Sequence, residues 1–331
     1  MFASVPDILR LAVLPVLGWA AWRDVRVRRV PSRTWYPLVG LGALLLVWDG
    51  VGHLSVGTSA DVLFFVRVGI SLLVVAPIAY LFWRLGGFGG ADAKALIAIS
   101  ILLPTFPTYY FAGFTLPVVV TTLGVFSMTI LTNTVVLAAG YPLALLARNL
   151  LDGEVAFPAA LFGRRIPTST LPTAHGRLFE TTEGFTRSGL DIDALRMYLR
   201  WRGTSLEAVR ANPERARDPG SIGETHDPTD GAVGDDADDG GSVALDADGT
   251  AAPDPDPDDP WGAEAFLEGI EGTAYGTSPG TLREGLEVVT ERDGVWISPG
   301  IPFIVPMFVG TLLAFVYGDL LFGALGALGV V

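Results

Sequence analysis

Long apolar runs separated by short polar turns fill the first 150 residues of the chain and return only near its C-terminal end. A helix that crosses the hydrocarbon core of a bilayer needs about 20 mostly apolar residues. Six stretches approach that length: Pro6–Trp22, Trp35–Val51, Val62–Leu85, Ala93–Pro104, Pro117–Leu146 and Ile301–Leu321. The fourth is short, so it either continues through the aromatic segment PTFPTYYFAGF or tilts within a bundle. Trp22, Trp35, Trp48 and Trp83 fall at span ends, where an amphipathic ring is favoured at headgroup level. The first run has no basic segment before it and no small-residue cleavage site after it, so it reads as a retained span and not a signal peptide. The pattern predicts an all-α membrane protein, a bundle of six transmembrane helices with a polar insertion between the fifth and the sixth.

Loop charge orients this bundle. The connection after the first span carries Arg23, Arg26, Arg28, Arg29 and Arg33, and short arginine-rich loops stay cytoplasmic. The loop Gly52–Ala60 has no lysine or arginine, Arg84 and Lys94 flank the third connection, and the fourth is again free of basic residues. Arg148 then opens the long polar region. The alternation puts both termini outside and the insertion in the cytoplasm.

Residues 1–150 are thus expected to form a membrane domain with five helices, and 299–331 the sixth helix and C-terminus. Within the insertion, 151–212 should hold a small soluble module. Its stretch LDIDALRMYLRWRGTSLEAVR spaces Leu195, Tyr198, Leu199, Leu206 and Val209 as two short helices, broken at Gly203 and restarted from Ser205 as N-cap. Residues 213–260 are dominated by Asp, Gly, Pro and Ala, bury too little apolar surface to offset ordering entropy, and are expected to be disordered. Order should resume in 261–298, where Phe266, Leu267, Leu282, Leu286, Val288 and Val289 are available to pack.

The formal charge of the chain is −13, and its acidic residues concentrate inside the insertion. Lys94 is the sole lysine, and an acidic, lysine-poor surface of this kind suits a halophilic source. There is no cysteine, which removes disulfides, thiolate zinc sites and cysteine nucleophiles. His53, His175 and His226 are scattered, with no ligand-spaced partner, so no metal or organic cofactor is expected. The DPDPDD run has Asp259 where a calcium loop needs its turn glycine and Ala265 where it needs a bidentate glutamate. Nothing in the sequence points to nucleic acid.

An ionisable side chain at the edge of a membrane bundle is costly and marks function by default. Arg10 and Arg67 fall inside apolar spans, where pairing with Asp7, Asp61 or a backbone carbonyl is the structural expectation. Asp24 follows the first span in GWAAWRDVRVRRVP, and Asp92 lies in the turn GGFGGADAK before the fourth. Both are expected at the cytoplasmic end of their helices. Two close carboxylates sharing one proton supply the base and the acid that peptide hydrolysis needs. Gly86, Gly87, Gly89 and Gly90 before Asp92 would let the backbone approach a substrate closely and supply conformations closed to other residues. Lys94 could tune the pair or simply snorkel to headgroups. The GGFGG run lacks the spaced glycines and the Lys-Ser/Thr pair of a phosphate loop.

The segments WRDVRVRRVPSRTWYPL, GGFGGADAKALIAISILLPTFP, NTVVLAAGYPLALLARNLL and VWISPGIPFIVPMFVGTLLAFVYGD together resemble the archaeal preflagellin and prepilin peptidases, GxGD-type membrane aspartyl proteases of the type IV prepilin peptidase family. The resemblance implies that Asp24 and Asp92 form the catalytic dyad. It also implies that the substrates are precursors of archaellins and type IV pilin-like proteins, cut at the cytoplasmic face just before their hydrophobic helix. The motif here departs from GxGD, with Ala91 in place of the glycine before Asp92. The cysteine-bound zinc segment of bacterial relatives cannot form. Two rival functions remain from the residues alone: a proton-coupled transporter using the carboxylates, and a membrane anchor presenting the acidic insertion to a partner. A transporter would be expected to show internal repeats and carboxylates near the bilayer midplane, whereas no repeat is visible and both aspartates are expected near one surface.

Overall fold

The computed structural model describes residues 2–27, 30–54, 57–85, 87–111, 113–231, 233, 250–270, 274–299 and 303–329. The chain divides into two compact units, one formed by 1–141 and 301–331, the other by 142–300.

The first unit begins with α1 (Val5–Arg10), whose N-terminus is capped by the Ser4 hydroxyl accepting from the Asp7 N–H. It continues through α2 (Val13–Val27) and α3 (Tyr36–Gly52), then α4 (Ser59–Ile70), which passes through one π turn at Ser71–Val75 into α5 (Ala76–Arg84). Next come α6 (Gly90–Leu102), the strands β1 (Tyr109–Phe111) and β2 (Phe114–Leu116), and α7 (Phe126–Leu151), which crosses into the second unit. Among the described residues, Val5–Val27, Ser32–Gly52, Ser59–Arg84 and Phe126–Leu151 are long and apolar enough to cross a membrane.

Three expectations are corrected in this unit. The fourth apolar run does not extend into the aromatic segment: α6 stops at Leu102, and Tyr109 pairs with Leu116 in an antiparallel hairpin. Pro104 and Pro107 deny that segment helical N–H donors. The fifth helix starts at Phe126, not at Pro117, and ends at Leu151. The β-branched run before it is irregular, bending at 117–118 and 122–123, and ends at Gly124, whose φ of +72° closes it to a helix. Trp35, expected at the headgroup belt, is buried in the core, whereas Trp22, Trp48 and Trp83 are exposed.

The core of this unit is built from Leu17, Ala20, Leu38, Leu96, Ile99 and Met307, with small residues where helices meet. Gly42 on α3 lets the α6 backbone approach so closely that an added Cβ would lie 2.9 Å from Leu102 Cα. A buried serine group crosses the same layer, since Ser71 Oγ donates to Ser100 O at 2.7 Å and lies 2.7 Å from Ser127 Oγ. Arg10 pairs with Asp7 at 2.7 Å and also with Asp49, while Arg67 donates to Leu123 O at 3.0 Å. Both arginines thus find the partners that a charge inside an apolar run requires.

The second unit holds α8 (Ala159–Phe162), β3 (Arg164–Pro167), β4 (Arg177–Leu178), α9 (Ile192–Trp201), α10 (Leu206–Ala211), α11 (Pro213–Arg217), α12 (Ala263–Gly269), α13 (Pro279–Glu291) and β5 (Gly294–Ser298). The strands form one antiparallel sheet in the order β3-β5-β4. The chain is mostly helical, as expected, but this unit adds a sheet to the all-α expectation: GVWIS is its central strand, with Val295, Trp296 and Ile297 buried. Its core gathers Tyr198, Trp261, Phe266, Leu282, Leu286 and Val289. The two helices expected around Gly203 are α9 and α10, and Ser205 Oγ accepts from the Ala208 N–H at the start of α10. The chain then returns to the first unit through α14 (Ile304–Val316) and α15 (Leu320–Ala327).

The acidic stretch is only partly described, because residues 234–249 lie outside the described residues. Its two flanks are ordered where disorder was expected. Asn212 caps α11, Ala216 and Ile222 are buried, and Thr225 pairs with Thr250. Asp259 is buried and accepts from the backbone N–H groups of Glu264 and Ala265 and from Arg283. Composition alone misses such sites, because a few apolar side chains and one capped helix start can fix an otherwise polar segment.

Asp191, the N-cap of α9, is pushed up to about 6 by burial and by the like charge of Asp193, with the Asp193 N–H and Arg177 pulling the other way. The folded carboxyl keeps its proton to about pH 6, whereas the unfolded one releases it near the ordinary 3.8, so stability declines as pH rises between those values. Asp191→Asn keeps a cap-competent side chain and removes that titration. The variant is expected to gain up to about 3 kcal/mol over wild type at pH 7.5 and little at pH 4, as read by thermal unfolding in detergent at both values.

Candidate active site

The residues singled out by sequence fall on α2 and α6. Asp24 sits one turn before the end of α2 and is 9% exposed, a buried carboxylate on a helix and not a loop residue. The guanidinium groups of Arg23 and Arg26 lie over the rings of Trp19 and Trp22, 5.8 and 4.7 Å from their centroids. Asp92 is half-buried at the third residue of α6, where its Oδ2 accepts from the Gly89 N–H at 3.0 Å. A carboxylate in the first turn of a helix faces the positive end of the helix dipole.

Three contacts fix how these ends relate. Arg10 Nε donates to Leu102 O at 3.3 Å, so the start of the α1–α2 run meets the end of α6. At 1.5 Å per residue, Asp24 lies roughly 20 Å along its helix from that contact and Asp92 roughly 15 Å along the other, in the same direction. At the far end, Lys94 Nζ donates to Ser32 Oγ at 2.6 Å, tying α6 to the turn that follows α2. The start of α14 lies there too: Phe303 stacks on Phe88 with ring centroids 4.7 Å apart. A Cβ added to Gly18 of α2 would meet the Phe308 ring at 3.3 Å. Asp24 and Asp92 therefore occupy one end of the unit, on two helices that flank the first turn of α14.

The glycines near Asp92 serve space and not conformation. Gly87, Gly89 and Gly90 do not have positive φ; Gly86 lies outside the described residues. A Cβ on Gly89 would sit 2.9 Å from Asp92 Oδ2 and push the carboxylate off its N–H donor. Ala91 is already inside α6, where alanine is favoured and glycine would cost helix stability, so the departure from GxGD has a local reason. Gly89→Ala is expected to insert normally and to displace the Asp92 carboxylate from its N–H donor, so that any reaction depending on that carboxylate slows roughly tenfold to a hundredfold. Unchanged rates at matched protein level would show that the N–H contact is dispensable.

Lys94 is exposed and engaged with Ser32, a partner that no motif marks. Among the described residues, no group of three or more His, Asp or Glu side chains is arranged to hold a metal ion. Sequence reasoning also passed over a buried polar cluster near the other end of α14. Asn133 Nδ2 donates to Gly318 O at 2.8 Å and its Oδ1 accepts from the Leu320 N–H at 2.9 Å. Thr129 Oγ1 donates to Asp319 Oδ2 at 2.9 Å. An asparagine inside an apolar run and the Gly318-Asp319 pair were the available signals.

Residues 11–143, which include both aspartates, match the model of the type IV leader peptidase family. Residues 281–320 match an archaeal peptidase A24 C-terminal model of type II. The chain is also similar to the prepilin peptidase EppA of Methanothermobacter thermautotrophicus, 29% identical over 139 residues. That similarity covers 41% of this chain and spans only 34% of the relative's length.

Proposed function

The chain belongs to the type IV leader peptidase family, and from that premise we propose that it is a membrane aspartic endopeptidase that removes short leaders from archaellin and type IV pilin-like precursors. The observation that carries this reading is the placement of Asp24, buried near the end of α2, and Asp92, in the first turn of α6, inside the segment that matches the family. Asp92, already accepting an N–H at the positive end of α6, is assigned to take the proton from water. Asp24 holds the shared proton and gives it to the scissile carbonyl oxygen as the hydroxyl attacks its carbon. As the resulting diol collapses, one of its hydroxyls returns a proton to Asp24, the C–N bond breaks, and the leaving nitrogen receives the proton that Asp92 took.

In this reading α6 and α14 complete a six-span bundle as shorter, bundle-buried crossings. The arginine-rich turn after α2 holds the dyad at the cytoplasmic face, together with the second unit. A precursor's hydrophobic helix then lies in lipid beside the bundle while its basic leader approaches the carboxylates. Co-expression with a pilin-like precursor is expected to shorten that precursor in the membrane fraction, seen as a gel shift. Replacing residues 234–249 with a short Gly-Ser linker should leave the shift intact. An uncut precursor with wild-type enzyme rejects the substrate class, and cleavage lost only with the linker favours the partner-anchor reading instead.

A further inference from the structure

The segment that leaves α7 exposes apolar side chains in a fixed arrangement. Leu151, Val155 and Phe157 are 88%, 63% and 79% exposed, whereas the intervening Ala156 packs on a cluster of Leu146, Ala159, Phe179 and Trp296. The alternation holds because the loop is tied down: the Glu154 N–H donates to Asn149 O at 2.9 Å, and Asn149 Nδ2 donates to Ala160 O and Gly163 O at 2.9 and 2.8 Å. Arginines accompany the exposed side chains. Arg148, in the last turn of α7, pairs with Asp152 at 3.7 Å, Arg165 bridges to Glu154 at 3.2 Å, and Arg187 lies 4.2 Å from the centroid of the Phe162 ring, which packs on the same cluster.

We propose that this patch is a lipid-interface anchor, with Leu151, Val155 and Phe157 seated at the boundary of headgroups and acyl chains and Arg148, Arg165 and Arg187 facing lipid phosphates. Continuity decides for lipid over a protein partner. Leu151 is the last residue of an apolar span, and the Glu154–Asn149 hydrogen bond folds the next residues back to the level of that span's last turn. Apolar side chains held at that depth with basic residues around them are the composition that partitions into an interface. The proposal does not rest on the catalytic reading.

The absence of native cysteine allows a direct test on the full chain. Val155→Cys and Phe157→Cys, each nitroxide-labelled, would be reconstituted in vesicles of phosphatidylglycerol and phosphatidylcholine, with Glu207→Cys as the exposed reference. Collision rates with oxygen and with a water-soluble nickel chelate are then compared. Labels at 155 and 157 are expected to favour oxygen over nickel, and the label at 207 nickel over oxygen. Nickel accessibility at 155 and 157 equal to that at 207 would overturn the proposal. Shielding from both reagents would overturn it too, because it would put protein against the patch.

Discussion

Asp24→Asn and Asp92→Asn should each abolish precursor cleavage, lowering the rate by about 10⁴-fold, the upper range for loss of a positioned acid or base. Asparagine keeps the volume and a hydrogen-bonding carbonyl at both positions, so packing around the buried Asp24 and the Gly89 contact of Asp92 survive in outline. What disappears is the ability to take a proton from water or to hand one to the substrate. In the proposed mechanism the two groups act on one water and share one proton, so the double variant should be no worse than either single variant. Equal membrane abundance of all forms, read by immunoblot, separates lost chemistry from lost insertion. Cleavage retained by both single variants would remove the dyad from the mechanism. Additive losses in the double variant would instead assign the carboxylates to independent tasks.

The physical reasons why some of this was legible are specific. Apolar run length exposed α2, α3, α4–α5 and α7, because a bilayer demands that length wherever a helix crosses it. Helical spacing and a serine cap marked α9 and α10, a purely local signal. Asp24 and Asp92 stood out as charges at the edge of apolar runs. The strand β5 did not, because three consecutive buried residues carry no alternation, and its partners β3 and β4 lie more than 100 residues earlier. The loop before α7 was misread for a similar reason: Val118, Val119 and Val120 are as apolar as a span. What holds them out of a helix is a distant backbone contact, the Val119 N–H donating to Tyr317 O at 2.7 Å.

That contact leads to the largest stability effect expected, at Gly318. The residue has φ +103°, a region open almost only to glycine, and a Cβ placed there would lie 1.8 Å from Val119 O. Two costs are thus separable. Backbone strain alone amounts to about 1–3 kcal/mol, and the collision is with backbone that is itself pinned, since Val119 O accepts from the Asp319 N–H at 3.2 Å. Moving Gly318 also disturbs its carbonyl, which accepts from Asn133 Nδ2, and the neighbouring Asp319, which is 2% exposed, accepts from Thr129 and caps α15. Gly113 provides the control, with φ +87° and open space around its missing Cβ. Gly318→Ala is expected to destabilise the first unit by at least about 4 kcal/mol, a large part of the 5–15 kcal/mol a domain typically holds, and Gly113→Ala by only about 1–2. Thermal unfolding in detergent, followed by tryptophan fluorescence, would compare the two. Matching transitions would mean that the stretch 117–125 shifts freely, and that the contact between Val119 and the turn after α14 is not what holds that end of the helix.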